Sequence, residues 1–211
     1  MRRFSSILVS LLAIGSLAAP LAAQGNRSLE LSLFGSGNAP LQDLNGNPNL
    51  GFKSGFGGGL GATYVLEKHF ALHGDVSYVK SDVNVPSTSC NPQPQCVVGP
   101  VGTGAGALNS LSWTHIVAGG DFVLRFPIGD GPVPYFSTGA GIVRFSESGG
   151  RTATRMAGRF GTGLQLPLAD KFGAFAAVNA QVYDFDQRFF EYFTKVQVDM
   201  LFSVGLSIKV F

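Results

Sequence analysis

The most constraining feature of this chain is an alternation of apolar with small or polar side chains that begins at Ser28 and continues to the C-terminal residues. A period of two is typical of β-strands whose two faces meet different surroundings. Eight segments carry the alternation, roughly 28–35, 55–66, 70–79, 111–126, 135–145, 157–166, 172–183 and 196–210. No long segment shows a helical period, so an all-β fold is predicted.

The composition raises the question of where so many apolar side chains lie. Apolar residues make up 45% of the 211 residues and charged residues only 13%, about half the charged share of ordinary soluble domains. The 18 phenylalanines argue against a disordered chain, and 15 basic against 13 acidic residues leave no surplus for nucleic acid. The sequence therefore predicts a chain with one face toward lipid and no nucleic-acid partner.

The first 23 residues have the layout of a secretory signal peptide. Arg2 and Arg3 precede an apolar run over 4–17, and small residues then lead to a cleavage site predicted after Ala23. A transmembrane anchor, the alternative, needs about 20 apolar residues, and no later run approaches that length. We therefore predict a signal peptide over 1–23 and a β-barrel domain over 24–211.

The connections between the segments alternate in length. Short ones at 67–69, 127–134 and 167–171 alternate with longer polar tracts at 38–53, 80–110, 146–156 and 184–195. Transmembrane barrels have short periplasmic turns and longer loops outside the cell. The sequence therefore predicts an eight-stranded antiparallel transmembrane up-and-down β-barrel. A soluble barrel with its polar face outside has the same parity and remains the alternative.

Dividing each segment into two faces separates apolar from charged side chains. One face is free of charge in all eight segments, and in the fifth segment we place Tyr135, Val143 and Phe145 on it. A basic side chain facing lipid at mid-depth costs about 2–4 kcal/mol, which gives this segregation a physical cause. The opposite face predicts a lumen charge network of Glu30, Asp75, Asp121, Arg125, Arg144, Arg159, Asp199 and Lys209. These groups are expected to pair, because an unpaired buried charge is costly, but the pairing partners stay open.

Aromatic residues flank the predicted short connections. Tyr64, Phe70, Phe126, Tyr135 and Phe172 stand at these positions. Together they would form an aromatic belt at one membrane interface. Ordinary aromatic residues beside turns are the alternative interpretation.

Four stretches of the sequence resemble the OmpA/OmpX-like family, the small eight-stranded outer-membrane barrels of Gram-negative bacteria. They are GFGGGLGATY at 55–64, FALHGDVSY at 70–78, PYFSTGAG at 134–141 and VGLSIKVF at 204–211. The resemblance covers the whole mature chain and is one of period and glycine placement. It implies an outer-membrane location, contact with outer-membrane lipid and lipopolysaccharide, and handling by periplasmic chaperones and the barrel-assembly machinery.

The same resemblance implies a C-terminal assembly signal. Its residues would be Val204, Leu206, Ile208, Val210 and Phe211. Family members usually end with a Phe in phase with the apolar face, whereas Phe211 is one step out of phase. We therefore expect the last residue to turn outward.

Cys90 and Cys96 lie in the longest polar tract with five residues between them. In an oxidising compartment an even pair at this spacing predicts a disulfide that closes a small loop. A metal site would need more ligands than two thiols. We expect no bound metal and no cofactor.

Two patterns invite an enzymatic interpretation. Gly57, Gly59 and Ala62 match a relaxed dinucleotide fingerprint, but a strand pattern follows where the fingerprint needs a helix. His73 and His115 invite a lipid-modifying hydrolase, but no nucleophile motif accompanies them. We therefore expect no catalytic residues and a structural or cell-surface interaction role through extracellular loops. A passive pore for small solutes is the alternative, and a lipid-modifying enzyme is a further one.

Overall fold

The computed structural model describes residues 27–41, 51–52, 54–84, 112–147, 152–184 and 196–211. The strands in these ranges are β1 (Ser28–Pro40), β2 (Gly51–Phe52), β3 (Gly55–Glu67), β4 (Phe70–Asn84), β5 (Ser112–Arg125), β6 (Val133–Glu147), β7 (Thr152–Pro167), β8 (Phe172–Asp184) and β9 (Val196–Lys209). The same ranges contain no helix that is long and apolar enough to cross a membrane.

The eight long strands form a closed barrel. Each pairs antiparallel with the next long strand along the chain, and β1 pairs with β9 to close the sheet. The short strand β2 pairs antiparallel with the last two residues of β4, with Gly51 opposite Asn84. Closure pairs the edge strands that would otherwise be exposed, which a lipid environment requires. The predicted eight-stranded antiparallel barrel is confirmed.

The register determines how steeply the strands are inclined. A row of directly paired residues runs through Leu31, Ala62, Gly74, Gly120, Ala140, Gly158, Val182 and Val198. Pro40 on β1 pairs with Asp199 on β9. The next residue, Leu41, donates a backbone hydrogen bond of 3.0 Å to the carbonyl of Val198, so the row continues from Val198 to Leu41. The row therefore returns to β1 ten residues from its start (41 − 31 = 10). For eight strands this shift corresponds to a tilt of about 40°.

The two ends of the barrel differ. At one end, here named the short-turn end, lie the connections 68–69, 126–132 and 168–171 together with the last residues of the chain. Gly129 in the second turn has a φ of 60°, a conformation that favours glycine. The opposite end, here named the long-loop end, is where the tracts 42–50, 85–111, 148–151 and 185–195 join the strands in sequence. The predicted alternation holds for the tracts 42–50, 85–111 and 185–195. It is wrong for the tract predicted at 146–156, because β6 and β7 extend into it and leave only 148–151 between them, fewer residues than 126–132 at the short-turn end.

The outward face of the barrel carries an apolar belt. Large apolar side chains on it are exposed, including Phe56 at 78% and Val204 at 67%. From Phe126, just after β5, back to Ile116 the outward positions are apolar, and on β8 they are apolar from Phe172 to Val182. At about 3.3 Å per residue and the tilt above, each stretch spans about 25 Å along the barrel axis, the height of the apolar band of outer-membrane barrels.

The face assignment predicted for β6 is wrong. Val143 and Phe145 are buried inside the barrel, and Tyr135 lines an internal cavity. Phe136 and Ile142 face outward instead, at 58% and 47% exposure. Aromatic and branched residues stand on both faces of this strand, so their order along the chain does not fix the parity.

The aromatic belt at the short-turn end changes accordingly. Phe136 replaces Tyr135 in it, and its ring meets that of Phe126 edge to face at 6.0 Å. Phe70 and Phe172 are exposed on the outward face as predicted. Tyr64 also faces outward and is half-buried.

Candidate functional site

The lumen of the barrel is occupied by side chains in three layers. The layer nearest the short-turn end consists of Glu30, Arg125 and Gln165. Arg125 Nη2 donates to Gln165 Oε1 at 2.9 Å, and Gln165 Nε2 donates to Glu30 Oε2 at 2.6 Å. Arg125 Nη2 also lies 3.8 Å from Glu30 Oε1. This first layer therefore joins β1, β5 and β7 across the lumen.

The middle layer is centred on Arg159. Its Nη2 lies 2.6 Å from Asp75 Oδ1 and 3.1 Å from Asp121 Oδ2, so one guanidinium bridges two carboxylates from β4 and β5. His73 Nε2 lies 3.7 Å from Asp75 Oδ1, and His73 Nδ1 is hydrogen-bonded to Thr63 Oγ1 at 2.8 Å. Asp121 and Arg159 are 5% and 4% exposed. Ion pairs this buried hold their geometry because separation would leave uncompensated charge.

Inward-facing glycines make room for this layer. A Cβ on Gly119 would overlap the guanidinium of Arg159, and a Cβ on Gly139 would overlap Asp121 Oδ1 and the backbone of β5. An interior of eight strands is just wide enough for side chains to fill it. Glycine beside a large charged residue is therefore what lets Arg159 lie across the lumen.

Replacing Gly119 with Ala is expected to destabilise the barrel by about 1–3 kcal/mol, because overpacking a filled interior forces side chains off their preferred rotamers. Gly120 is the matched control: it faces outward, and the nearest atom to its added Cβ is at 3.9 Å. We expect Gly120→Ala to change stability by less than about 0.5 kcal/mol. Denaturant unfolding in lipid vesicles measures both variants, and equal losses would contradict the crowding argument.

The layer nearest the long-loop end is mainly aromatic. Phe145 is fully buried, and its ring centroid lies 4.9 Å from that of His115 and 5.3 Å from that of Tyr183. The Tyr183 hydroxyl donates to Asp199 Oδ2 at 2.7 Å, and His115 Nε2 is hydrogen-bonded to Ser81 Oγ at 3.2 Å. This third layer is buried and packed, so it closes the lumen toward the long-loop end within the described residues.

Among the described residues, cavities lie on both sides of the first layer. One of about 80 Å³ is bordered by the middle layer and by Phe34 and Phe175, whose rings meet edge to face at 6.0 Å. The second, of about 150 Å³, opens at the short-turn end. Both cavities are bordered by Glu30, Arg125 and Gln165, so the first layer lies between them.

The structure brings together five of the eight residues predicted for the lumen charge network. Glu30 and Arg125 form the first layer, and Asp75, Asp121 and Arg159 form the second. The other three, Arg144, Asp199 and Lys209, lie outside these two layers, and the alternation along the sequence did not distinguish them from the first five.

The placement of those three residues corrects the prediction. Arg144 is exposed on the outward face of β6, since the parity of that strand is reversed. Asp199 is buried with Tyr183 in the aromatic layer rather than beside a base of the middle layer. Lys209 lies opposite Glu30 across β1 and β9, but it is exposed at the mouth of the second cavity.

The residues of the predicted C-terminal signal lie at the end of β9. Val204, Leu206, Ile208 and Val210 are exposed on the outward face. Phe211 is half-buried, and its carbonyl accepts a hydrogen bond from the Leu29 amide at 3.3 Å. Cys90, Cys96 and the signal peptide over 1–23 lie outside the described residues.

The residues behind the two enzymatic interpretations lie in different parts of the barrel. Gly57, Gly59 and Ala62 lie inside β3, which continues to Glu67, so the helix that a dinucleotide fingerprint requires does not follow them. His73 and His115 lie in separate layers of the lumen. Within the part of the chain that the structure describes, the series Thr63, His73 and Asp75 is one that resembles a catalytic arrangement, and it faces the cavity beside Phe34 and Phe175.

A closed barrel with an apolar belt, a charged and filled lumen and short turns at one end defines a class, the small outer-membrane barrel proteins. Residues 9–209 match the family of the outer membrane protein beta-barrel domain. The chain belongs to this family, as its sequence motifs suggested. No curated protein matches the chain.

Solved structures share the fold. Outer membrane protein OprG from Pseudomonas aeruginosa has a TM-score of 0.55 at 12% identity, covering 86% of this chain and 95% of that one. Neisserial surface protein A has a TM-score of 0.54 at 13% identity, with coverage of 86% and 96%. A major outer membrane protein from Thermus thermophilus has a TM-score of 0.51 at 12% identity, with coverage of 86% and 99%. At these identities the likeness extends to the fold alone.

Proposed function

We propose that this chain is a non-conducting barrel of the outer membrane, with a structural role in the envelope and contacts to partners through its extracellular side. The observation that supports it best is the filling of the lumen. The Glu30–Arg125–Gln165 layer and the Asp75–Arg159–Asp121 layer cross the interior one above the other. An ion would have to displace both layers and the packed aromatic layer beyond them.

The distribution of chain length supports the surface role. The short-turn end carries connections of two to seven residues, whereas 27 residues join β4 to β5 at the long-loop end. In outer-membrane barrels the longer connections face outside the cell. We infer export by the signal over 1–23, assembly through the C-terminal signal, and an outward-facing surface available to an extracellular partner.

We expect the purified protein to give no sustained single-channel currents in a planar lipid bilayer. The reason is that the charged layers are held by direct hydrogen bonds and ion pairs across the lumen rather than lining an open channel. A general porin inserted under the same conditions is the positive control. Reproducible unitary conductance of the folded barrel would reject this proposal in favour of a passive pore.

We infer no catalytic role for the lumen histidines. His73 is hydrogen-bonded to Thr63 inside the lumen, between the aromatic layer and the layer of Glu30, Arg125 and Gln165, and so lies away from the lipid-facing surface. Lipid A extracted from cells that express the protein should therefore be chemically unchanged. A modification that depends on His73 or His115 would contradict this inference.

A further inference from the structure

The outward face at the long-loop end carries two basic side chains just beyond the apolar belt. Lys80 on β4 and Arg144 on β6 are both exposed there. The belt on β5 ends at Ile116, which pairs directly with Arg144. Lys80 pairs with Thr114, the next outward residue of β5 beyond Ile116. The two cations therefore flank β5 on either side at nearly the same height.

We propose that Lys80 and Arg144 together bind the two phosphates of a diphosphorylated disaccharide lipid of the lipid A type in the outer leaflet. The site rests on the proposed outer-membrane placement, with the long-loop end outside the cell. Two strand spacings and a two-residue offset separate the two Cα atoms by about 12 Å. One phosphate could not meet both side chains without bending them toward each other, whereas phosphates at the two ends of a disaccharide suit this separation.

The chemistry of the two side chains suits phosphate. A guanidinium donates two parallel hydrogen bonds to phosphate oxygens, and an ammonium acts as a compact point charge. Among the described residues, neither Lys80 nor Arg144 forms an ion pair. Long basic side chains at the edge of a hydrocarbon layer extend toward the headgroup region, so both cations are available to an anionic headgroup at this depth.

Neutral hydrogen-bonding groups lie beside the two cations. The Tyr78 hydroxyl and Thr114 Oγ1 are 3.5 Å apart on the outward face. Thr154 on β7 lies opposite Arg144 and is exposed. The nearest acidic side chain on β4 is Asp82, one outward position farther from the belt than Lys80. On β4, β5 and β6 the outward polar groups at the belt edge are therefore basic or neutral, while the exposed Asp184 lies beyond Val182 on β8, two strands from Arg144.

The surface below the cations has room for acyl chains. On the same three strands, the outward residue Gly120 pairs directly with Gly74 on one side and with Ala140 on the other. An added Cβ at Gly74 or Gly120 would meet its nearest atom at 3.6 or 3.9 Å, an ordinary van der Waals distance, so no neighbouring side chain crowds the outward side of either glycine. Three small residues thus lie side by side on the belt below the cations, where the chains of a lipid held by its headgroup would descend.

The test compares lipid binding by double variants that lose the same charge. Native mass spectrometry of the folded barrel measures retention of diphosphorylated lipid A, of fully dephosphorylated lipid A and of phosphatidylglycerol. We expect Lys80→Ala/Arg144→Ala to weaken binding of diphosphorylated lipid A about tenfold or more, since each basic group near a membrane surface contributes substantially. Lys68→Ala/Lys171→Ala, at exposed positions of the short-turn end, is the matched control and should change binding less than about twofold.

Two results would overturn the proposal. Equal effects of the two double variants would show a general charge effect, and equal binding of phosphatidylglycerol would show an unspecific anionic surface. Folding of every variant is checked by the heat-dependent gel shift of a closed barrel, and Lys80→Arg should retain binding. Conductance is measured separately on the same preparations, so that failure of the lipid site and failure of the closed-lumen proposal are distinguished.

Discussion

Replacing Val204 with Arg is expected to destabilise the folded barrel by about 2–4 kcal/mol in a lipid bilayer. Val204 is 67% exposed on the outward face of β9, and it pairs with Ala176 on one side and Gly35 on the other. It lies near the middle of the apolar belt, where a guanidinium would meet hydrocarbon. Equilibrium unfolding by guanidinium chloride in lipid vesicles gives the free energy of unfolding for the natural chain and the variant.

The matched control is Thr154→Arg. Thr154 also faces outward and is exposed, but it lies beyond the belt at the long-loop end, opposite Arg144. An added Arg at the interface should cost about 0–1 kcal/mol. If both variants lose the same free energy, or if the mature chain stays soluble without detergent, the apolar belt does not face lipid. A soluble barrel would then be the better interpretation.

The belt was predictable from sequence because each segment had only two possible faces. In most strands the exclusion of charge from one face decided the parity. β6 was the exception, since Tyr135 and Phe136 are adjacent and Ile142 and Val143 are adjacent as well. Exclusion of charge assigns Arg144 to the lumen only if every position of the strand lies within the membrane. The register shows that Arg144 lies past Ile142 at the edge of the belt, where an outward charge is tolerated.

The arrangement of the lumen could not be predicted in the same way. Arg159 and Asp75 are 84 residues apart in sequence, and their contact depends on strand pairing all around the barrel and on its closing shift. The sequence did contain a signal that was not used. Gly119 and Gly139 occur at inward positions of neighbouring strands, and an inward glycine marks the space that a large side chain from elsewhere occupies. The period of two tells which face of a strand a residue lies on, but its contact partner across the lumen depends on the register between the strands.

Replacing Arg159 with Met is expected to destabilise the barrel by about 3–5 kcal/mol, because it leaves buried carboxylates without compensation. The side chains of Asp75 and Asp121 are 9% and 2% exposed, and Arg159 Nη2 contacts both. Arg125→Met is the matched control. The side chains of Arg125 and Glu30 are each 13% exposed and border the cavity at the short-turn end, so this loss should be smaller, about 1–2 kcal/mol.

A triple variant separates the cost of unpaired charge from the loss of packing. Asp75→Leu/Asp121→Leu/Arg159→Met removes both carboxylates with the guanidinium and keeps the same number of side-chain heavy atoms, branched at Cγ, at positions 75 and 121. Replacing a buried ion group by packed apolar residues is often neutral or stabilising, so we expect it to recover most of the stability lost in Arg159→Met. If Arg159→Met alone costs less than about 1 kcal/mol, the two carboxylates are effectively solvated. The lumen would then be wet enough to reopen the question of conduction, and the bilayer recordings would have to be repeated on that variant.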